Sequence, residues 1–184
     1  MSPTEYKKIA GLLRLGQVIA YPTEGVFGLG CDPLKESAVK KLLNLKQRSI
    51  EKGLIVIAAN WQQLTSWMGE LPIDRIAAIY AEDLPPITWS VPASDFVPEW
   101  IRGVHDTVAV RVTQHDVARK ICLAFGGPIV STSANLSGHQ PCHSYQEVQE
   151  QLGDEIDYIV KAETGNLAKP TPIYDALTGA RLRA

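Results

Sequence analysis

Residues 18–33 read VIAYPTEGVFGLGCDP. Val18 to Tyr21 is a short apolar run, the pattern of a buried strand. A glycine-rich turn follows at Gly25, Gly28 and Gly30. Glycine lets backbone approach a ligand closely and admits positive φ. Thr23 and Glu24 place side-chain oxygens at a strand end, where α/β proteins tend to bind ligands. The string is neither a Walker loop nor a Rossmann fingerprint, so an ordinary strand-to-helix turn is the competing description.

Outward from this stretch, strands and helices interleave. Tyr6, Ile9, Leu12 and Leu13 recur at helical spacing and predict a helix ending near Gly16. Further helices are predicted over 37–45, 61–68, 73–80, 117–125 and 145–152. Buried strands are predicted over 54–59, 87–91, 108–112 and 128–131, with late strands at 158–160 and 173–175. Segment 82–102, rich in Pro and Trp, reads as a long surface excursion. The pattern implies a single α/β domain over 1–184, a mixed sheet with helices on its faces.

Three more segments carry polar chemistry. In LKQRSIEKGLIVI (45–57), Lys46, Arg48 and Lys52 precede a buried strand. They either clamp phosphate or carboxylate groups or form a solvated helix C-terminus. In DTVAVRVTQH (106–115), Arg111 interrupts a run that belongs in the sheet. A buried guanidinium is costly unless paired, so Arg111 has either a structural carboxylate partner or an anionic ligand. In GGPIVSTSANLSG (126–138), a strand runs into a polar loop bearing Ser131, Thr132, Ser133, Asn135, Ser137 and Gly138. This is a cradle of small hydrogen-bonding groups, or else a Ser-rich turn with a helix N-cap. The shared chemistry is cations, hydroxyls and glycines at strand ends. It suits positioning and electrostatics rather than covalent catalysis.

The 184 residues carry a net charge of −2 and 45% apolar residues, enough for a core and too balanced for a strongly basic nucleic-acid binder. Neither a targeting segment nor a membrane-length apolar run is visible. Cys31, Cys122 and Cys142 are odd in number and far apart, which fits free thiols in a reducing, cytoplasmic setting. The four histidines show no zinc-site spacing.

Taken in order, the segments resemble the YrdC family, in its bacterial TsaC branch. YPTEGVFGLGCDP looks like the family's opening motif. Lys46-x-Arg48 looks like its KxR motif, Ser133-x-Asn135 like its SxN motif, and DTVAVRVTQH like its VAVR strand; ETGN and DALTGARLRA resemble its C-terminus. The resemblance implies a twisted mixed sheet around a concave, positively charged groove. It implies an ATP-dependent nucleotidyltransferase that joins L-threonine, bicarbonate and ATP into threonylcarbamoyl-AMP for tRNA modification, working with a TsaD/TsaB/TsaE complex. Mg2+ accompanies the ATP. On this resemblance Lys46, Arg48, Ser133 and Asn135 line the nucleotide site, with Lys46 and Arg48 catalytic. Thr23, Arg111 and Ser131 lie at the threonine end. Three departures stand out: Ser49 follows KxR where the family usually has Pro, DLPPITW lacks a glycine between its prolines, and KPTPIYDALTG replaces an expected Ser and Arg. The alternatives are an RNA-binding or ribosome-maturation factor, with direct RNA contact along the same cations, and a YciO-like paralogue with weak synthase activity.

Overall fold

A computed structural model describes residues 1–81, 84–136, 138–167 and 170–183. Helix α1 (Pro3–Arg14) leads into strands β1 (Ile19–Pro22) and β2 (Phe27–Gly30), then α2 (Glu36–Leu45), β3 (Ile55–Ala58) and α3 (Ile73–Ile79). There follow β4 (Thr88–Pro92), α4 (Glu99–Arg102), β5 (Thr107–Val112), α5 (Asp116–Phe125), β6 (Ile129–Ser133) and α6 (Tyr145–Leu152). The chain closes with β7 (Tyr158–Ile159), β8 (Ile173–Asp175) and β9 (Arg181–Arg183). The strands form one mixed sheet in the order β7-β1-β2-β6-β3-β5-β4-β8-β9. β3 and β5 run parallel at its centre, with β6 antiparallel to β3 and β4 antiparallel to β5.

Side chains alternate across a sheet with a period of two, and this alternation sorts the core. Val56, Ala58, Val108, Val110 and Val130 enter a large cluster with Val39 and Leu42 of α2, Ile101 of α4 and Val148 of α6. Ile19, Tyr21, Ile57 and Ile129 enter a smaller cluster with Ile9 and Leu13 of α1 and Ile121 of α5. The two helices of this second face cover only part of it. Beyond them, Ile55, Ala109, Arg111 and Ser131 floor two adjoining cavities. Arg111 interrupts an apolar run because it sits on the uncovered side, between Val110 and Val112, which pack with the large cluster.

Local chemistry sets the element ends. Ser2 and Glu5 form a reciprocal capping box at the start of α1. At the end of α2, the Arg48 amide donates to Leu43 O and the Gln47 amide to Asn44 O, both at 3.0 Å. That pair is a Schellman closure, and it forces Gln47 to φ 47°. The closure lets Lys46 and Arg48 depart in different directions.

Several expectations change. β2 was hidden in the glycine-rich turn, which is the second arm of an antiparallel hairpin with β1. Segment 61–68 is a 3-10 turn over Trp61–Trp67 rather than an α-helix. The expected surface excursion contributes an interior strand and a buried helix anchor: Thr88, Val91 and Ile101 are each fully buried. β6 continues through Ser133, so Thr132 and Ser133, like Ser131, belong to the strand and not to a loop. Glu82, at the start of the excursion, Ser137 of the polar cradle and Lys169 of KPTPIYDALTG lie outside the described residues.

A left-handed L-residue costs roughly 1 kcal/mol that glycine avoids. Gln47→Gly is expected to raise stability by about 0.5–1 kcal/mol, read as a higher thermal midpoint. An unchanged or lowered midpoint would show that Gln47 is held by contacts that offset the strain.

Candidate active site

The cavity that gathers the polar segments has a volume of about 230 Å³. All four segments reach it: Thr23 to Gly28 from the hairpin, Arg48, Arg111 from β5, and Ser131 to Ser133 from β6. The C-terminal part of the chain, through Leu167, Thr171 and Arg183, closes the other side.

Arg111 is the centre of the polar network. It is 6% exposed, as is Glu24. Its Nη2 lies 3.4 Å from Glu24 Oε2, its Nη1 donates to Thr171 Oγ1 at 2.8 Å, and Thr88 Oγ1 accepts a longer bond at 3.4 Å. Glu24 Oε1 in turn accepts from Thr113 Oγ1 at 2.7 Å and from the Gln114 amide at 3.0 Å. Burial pushes the Glu24 carboxyl up. The Arg111 cation and these two donors outweigh it and hold the group below the ordinary carboxylate range. Glu24 is therefore an anion at neutral pH. The carboxylate partner considered for Arg111 exists, yet Arg111 Nε is left buried with no hydrogen-bond partner. An ion pair of this kind holds a guanidinium rigid while leaving one of its donors unsatisfied.

The turn that presents Thr23 and Glu24 is fastened by the C-terminal part of the chain. The Gly165 amide donates to Thr23 O and the Leu167 amide to Glu24 O, at 2.9 and 3.0 Å. A β-carbon on Gly25 would stand 2.6 Å from Leu167 O, so only glycine fits this approach. Thr23 Oγ1 donates to Val26 O at 2.7 Å, which keeps its lone pairs for the cavity.

Lys46 and Arg48 part company. Arg48 lies on the cavity wall, and its Nη2 donates to Gly53 O at 2.9 Å while Nε has no partner. Lys46 is 9% exposed and does not line the cavity. Its Nζ donates to Ser133 O, Asn135 O and Asn135 Oδ1 at 2.8, 2.7 and 2.6 Å. Burial and then the neighbouring Arg48 cation pull Lys46 down to about 8. Asn135 sits with Lys46 behind the wall that Ser133 forms.

Two contributors escaped the sequence reading. Arg183 donates to Thr171 O at 2.9 Å and lines the cavity. Partial desolvation, then Arg111 and Arg48, lower its pKa, as close like charges do. Thr171, in the segment that departs from the expected Ser, keeps a hydroxyl at the guanidinium. The only hint of Arg183 was the alternation in ARLR, too short to mark a strand. Ser49 caps the 3-10 turn Ile50–Lys52 by accepting from the Glu51 amide, which gives it a job a proline would leave undone. Tyr174 stacks obliquely on Trp89 and does not line the cavity.

A second cavity of about 280 Å³ adjoins the first across Arg48 and Arg183, and its rim adds Lys52, Arg102 and His105. Among the described residues no three His, Cys, Asp or Glu side chains converge as metal ligands, and the one carboxylate on the first cavity's wall, Glu24, is engaged. These residues do not fit a magnesium ion held by the protein.

The family model Sua5/YciO/YrdC, described as "Telomere recombination", matches residues 11–183. The chain belongs to this family. It is 49% identical over 180 residues to the threonylcarbamoyl-AMP synthase of Vibrio parahaemolyticus, covering 97% of each chain. It is 48% identical to the protein of the same name in Halorhodospira halophila, covering 98% of this chain and 95% of that one. The solved structure of P. abyssi Sua5 complexed with L-threonine superposes with a TM-score of 0.88 at 33% identity, covering 95% of this chain and 52% of that longer chain. The mixed α/β sheet with flanking helices is thus the family's fold. No described helix is long and apolar enough to cross a membrane.

Breaking a buried pair by removing one partner is costly, because the other charge is stranded. Glu24→Gln is expected to lower stability at neutral pH by about 3 kcal/mol, with part recovered when Arg111→Met is added. Because the folded carboxyl titrates below its unfolded value, its contribution is full at neutral pH and is lost as pH falls through the folded value. Denaturation midpoints of wild type and Glu24→Gln should therefore converge in acid; a constant gap down to the acid transition would contradict the pairing.

Proposed function

We propose that this chain is a threonylcarbamoyl-AMP synthase, a nucleotidyltransferase that uses ATP. The observation that carries this reading is the fixed Arg111 guanidinium with an unpartnered Nε, in a cavity that Arg48 and Arg183 also line. The substrate carboxylate of L-threonine pairs with Arg111, since guanidinium matches carboxylate geometry. Thr23 and Ser131 face the amino acid, where their hydroxyls meet its side-chain oxygen. The nucleotide crosses from the first cavity to the second. Its phosphates lie against Arg48, Arg183 and Lys52, and Ser133 fixes it by hydrogen bonding. Lys46 and Asn135 support this end from behind.

The reaction balances as L-threonine, bicarbonate and ATP giving threonylcarbamoyl-AMP, pyrophosphate and water. The threonine nitrogen forms the carbamate with loss of water. A carbamate oxygen then attacks the α-phosphorus, the bond to the β-phosphate oxygen breaks, and pyrophosphate leaves. The chain's contribution is to hold the two reactants in line and to place cations where charge develops. No step is assigned to magnesium, which on this reading arrives bound to ATP as part of the substrate. The product carries an activated carbamoyl group, consistent with transfer to tRNA by a TsaD/TsaB/TsaE-type partner.

Pyrophosphate release from MgATP with bicarbonate is the direct assay. It should require L-threonine and fall about a hundredfold in Arg48→Ala with the fold intact. Release independent of threonine would overturn the reading. Binding of RNA that weakens steeply with salt, without such release, would transfer the cations to an RNA role.

A further inference from the structure

We propose that Lys46 is a positioning residue: it clasps the Ser133–Asn135 segment and acts on the nucleotide through Ser133, not by touching phosphate. The inference deepens the adenylation reading and rests on it. An ammonium has three protons to donate, and all three of Lys46's go to oxygens of this one segment. Asn135 is equally committed. Its Oδ1 accepts a second bond, from Ser133 Oγ at 2.7 Å, and its Nδ2 donates to Leu136 O and His139 O at 3.0 and 2.8 Å. The result is a closed knot of side-chain donors and carbonyls lying behind the cavity wall. Of its three named residues only Ser133 lines the cavity.

The knot is tied to the rest of the site. The Ala134 amide donates to Phe27 O, the Cys142 amide to Ala134 O and the Phe27 amide to Cys142 O. Lys46 therefore fixes the end of β6 against the hairpin that carries Thr23 and Glu24. For Lys46 to bind phosphate it would have to release the partly buried carbonyls of Ser133 and Asn135, and desolvated carbonyls left without donors are costly. Arg48, one residue past Gln47, already lines the cavity. The Schellman turn divides the labour of the two cations: one builds the wall, the other meets the ligand.

The test combines hydrogen exchange without substrates and steady-state kinetics. In Lys46→Met, exchange of the Ala134, His139 and Cys142 amides should accelerate about tenfold or more, since local opening sets protection. Lys46→Met and Asn135→Ala should each lower kcat about a hundredfold with the KM for ATP within about threefold, and the double variant should be no slower than either, as for residues acting as one unit. Lys46→Arg should not restore kcat, because a planar fork cannot supply three bonds from one nitrogen. Unchanged exchange would overturn the clasp. So would a tenfold rise in the KM for ATP that Lys46→Arg reverses. If Lys46→Met does not fold, Asn135→Ala carries both measurements. Absence of threonine-dependent release in wild type defeats the adenylation reading alone, and the exchange result then decides the clasp by itself.

Discussion

A guanidinium and a carboxylate, Arg111 and Glu24, meet at the uncovered part of a nine-stranded sheet, each only 6% exposed. Neither charge is tolerable alone in that position. Together they oblige the surroundings to supply donors and acceptors, which come from three separate segments: Thr113 and Gln114 after β5, Thr88 at the start of β4, and Thr171 before β8. Segments remote in sequence are thereby drawn to one point. The cavity is what remains once these demands are met, and Arg111 lines it with one buried donor left unpaired.

The rest of the site follows the same logic of supporting layers. A hairpin turn offers Thr23 and Glu24 and is itself held by the backbone of 165–167. A strand end offers Ser131 and Ser133 and is held by Lys46. The side chains that face the cavity are few, and each leans on a partner behind it. Such preorganisation suits chemistry that works by positioning and electrostatics.

Legibility in the sequence tracked locality. The α1, α2, α5 and α6 helices announced themselves through apolar spacing, and β3 and β5 through β-branched runs. Strand β2 did not, since FGLG carries two glycines and derives its strand character from pairing with β1 and β6. β9, with three exposed residues, has almost no pattern of its own. At the site, Thr23, Arg48, Arg111, Ser131 and Ser133 were legible as motif residues and all line the cavity. What spacing could not convey is direction. Lys46 and Arg48 look alike in KQR, and only the left-handed turn at Gln47 separates their tasks. Thr171 was invisible as a partner of Arg111, and Arg183 as its neighbour, because their meeting depends on the pairing of β4 with β8 and of β8 with β9.

The central claim is that Arg111, fixed by Glu24 and Thr171, pairs with an amino-acid carboxylate. Calorimetric titration of the wild-type chain with L-threonine and with L-threoninol, in which CH2OH replaces the carboxylate, tests it directly. The account predicts that L-threonine binds and that threoninol binds at least about a hundredfold more weakly, the loss expected for a charge-assisted contact of roughly 3 kcal/mol. Equal affinity for the two would contradict it and would leave the Arg111–Glu24 pair a purely structural device.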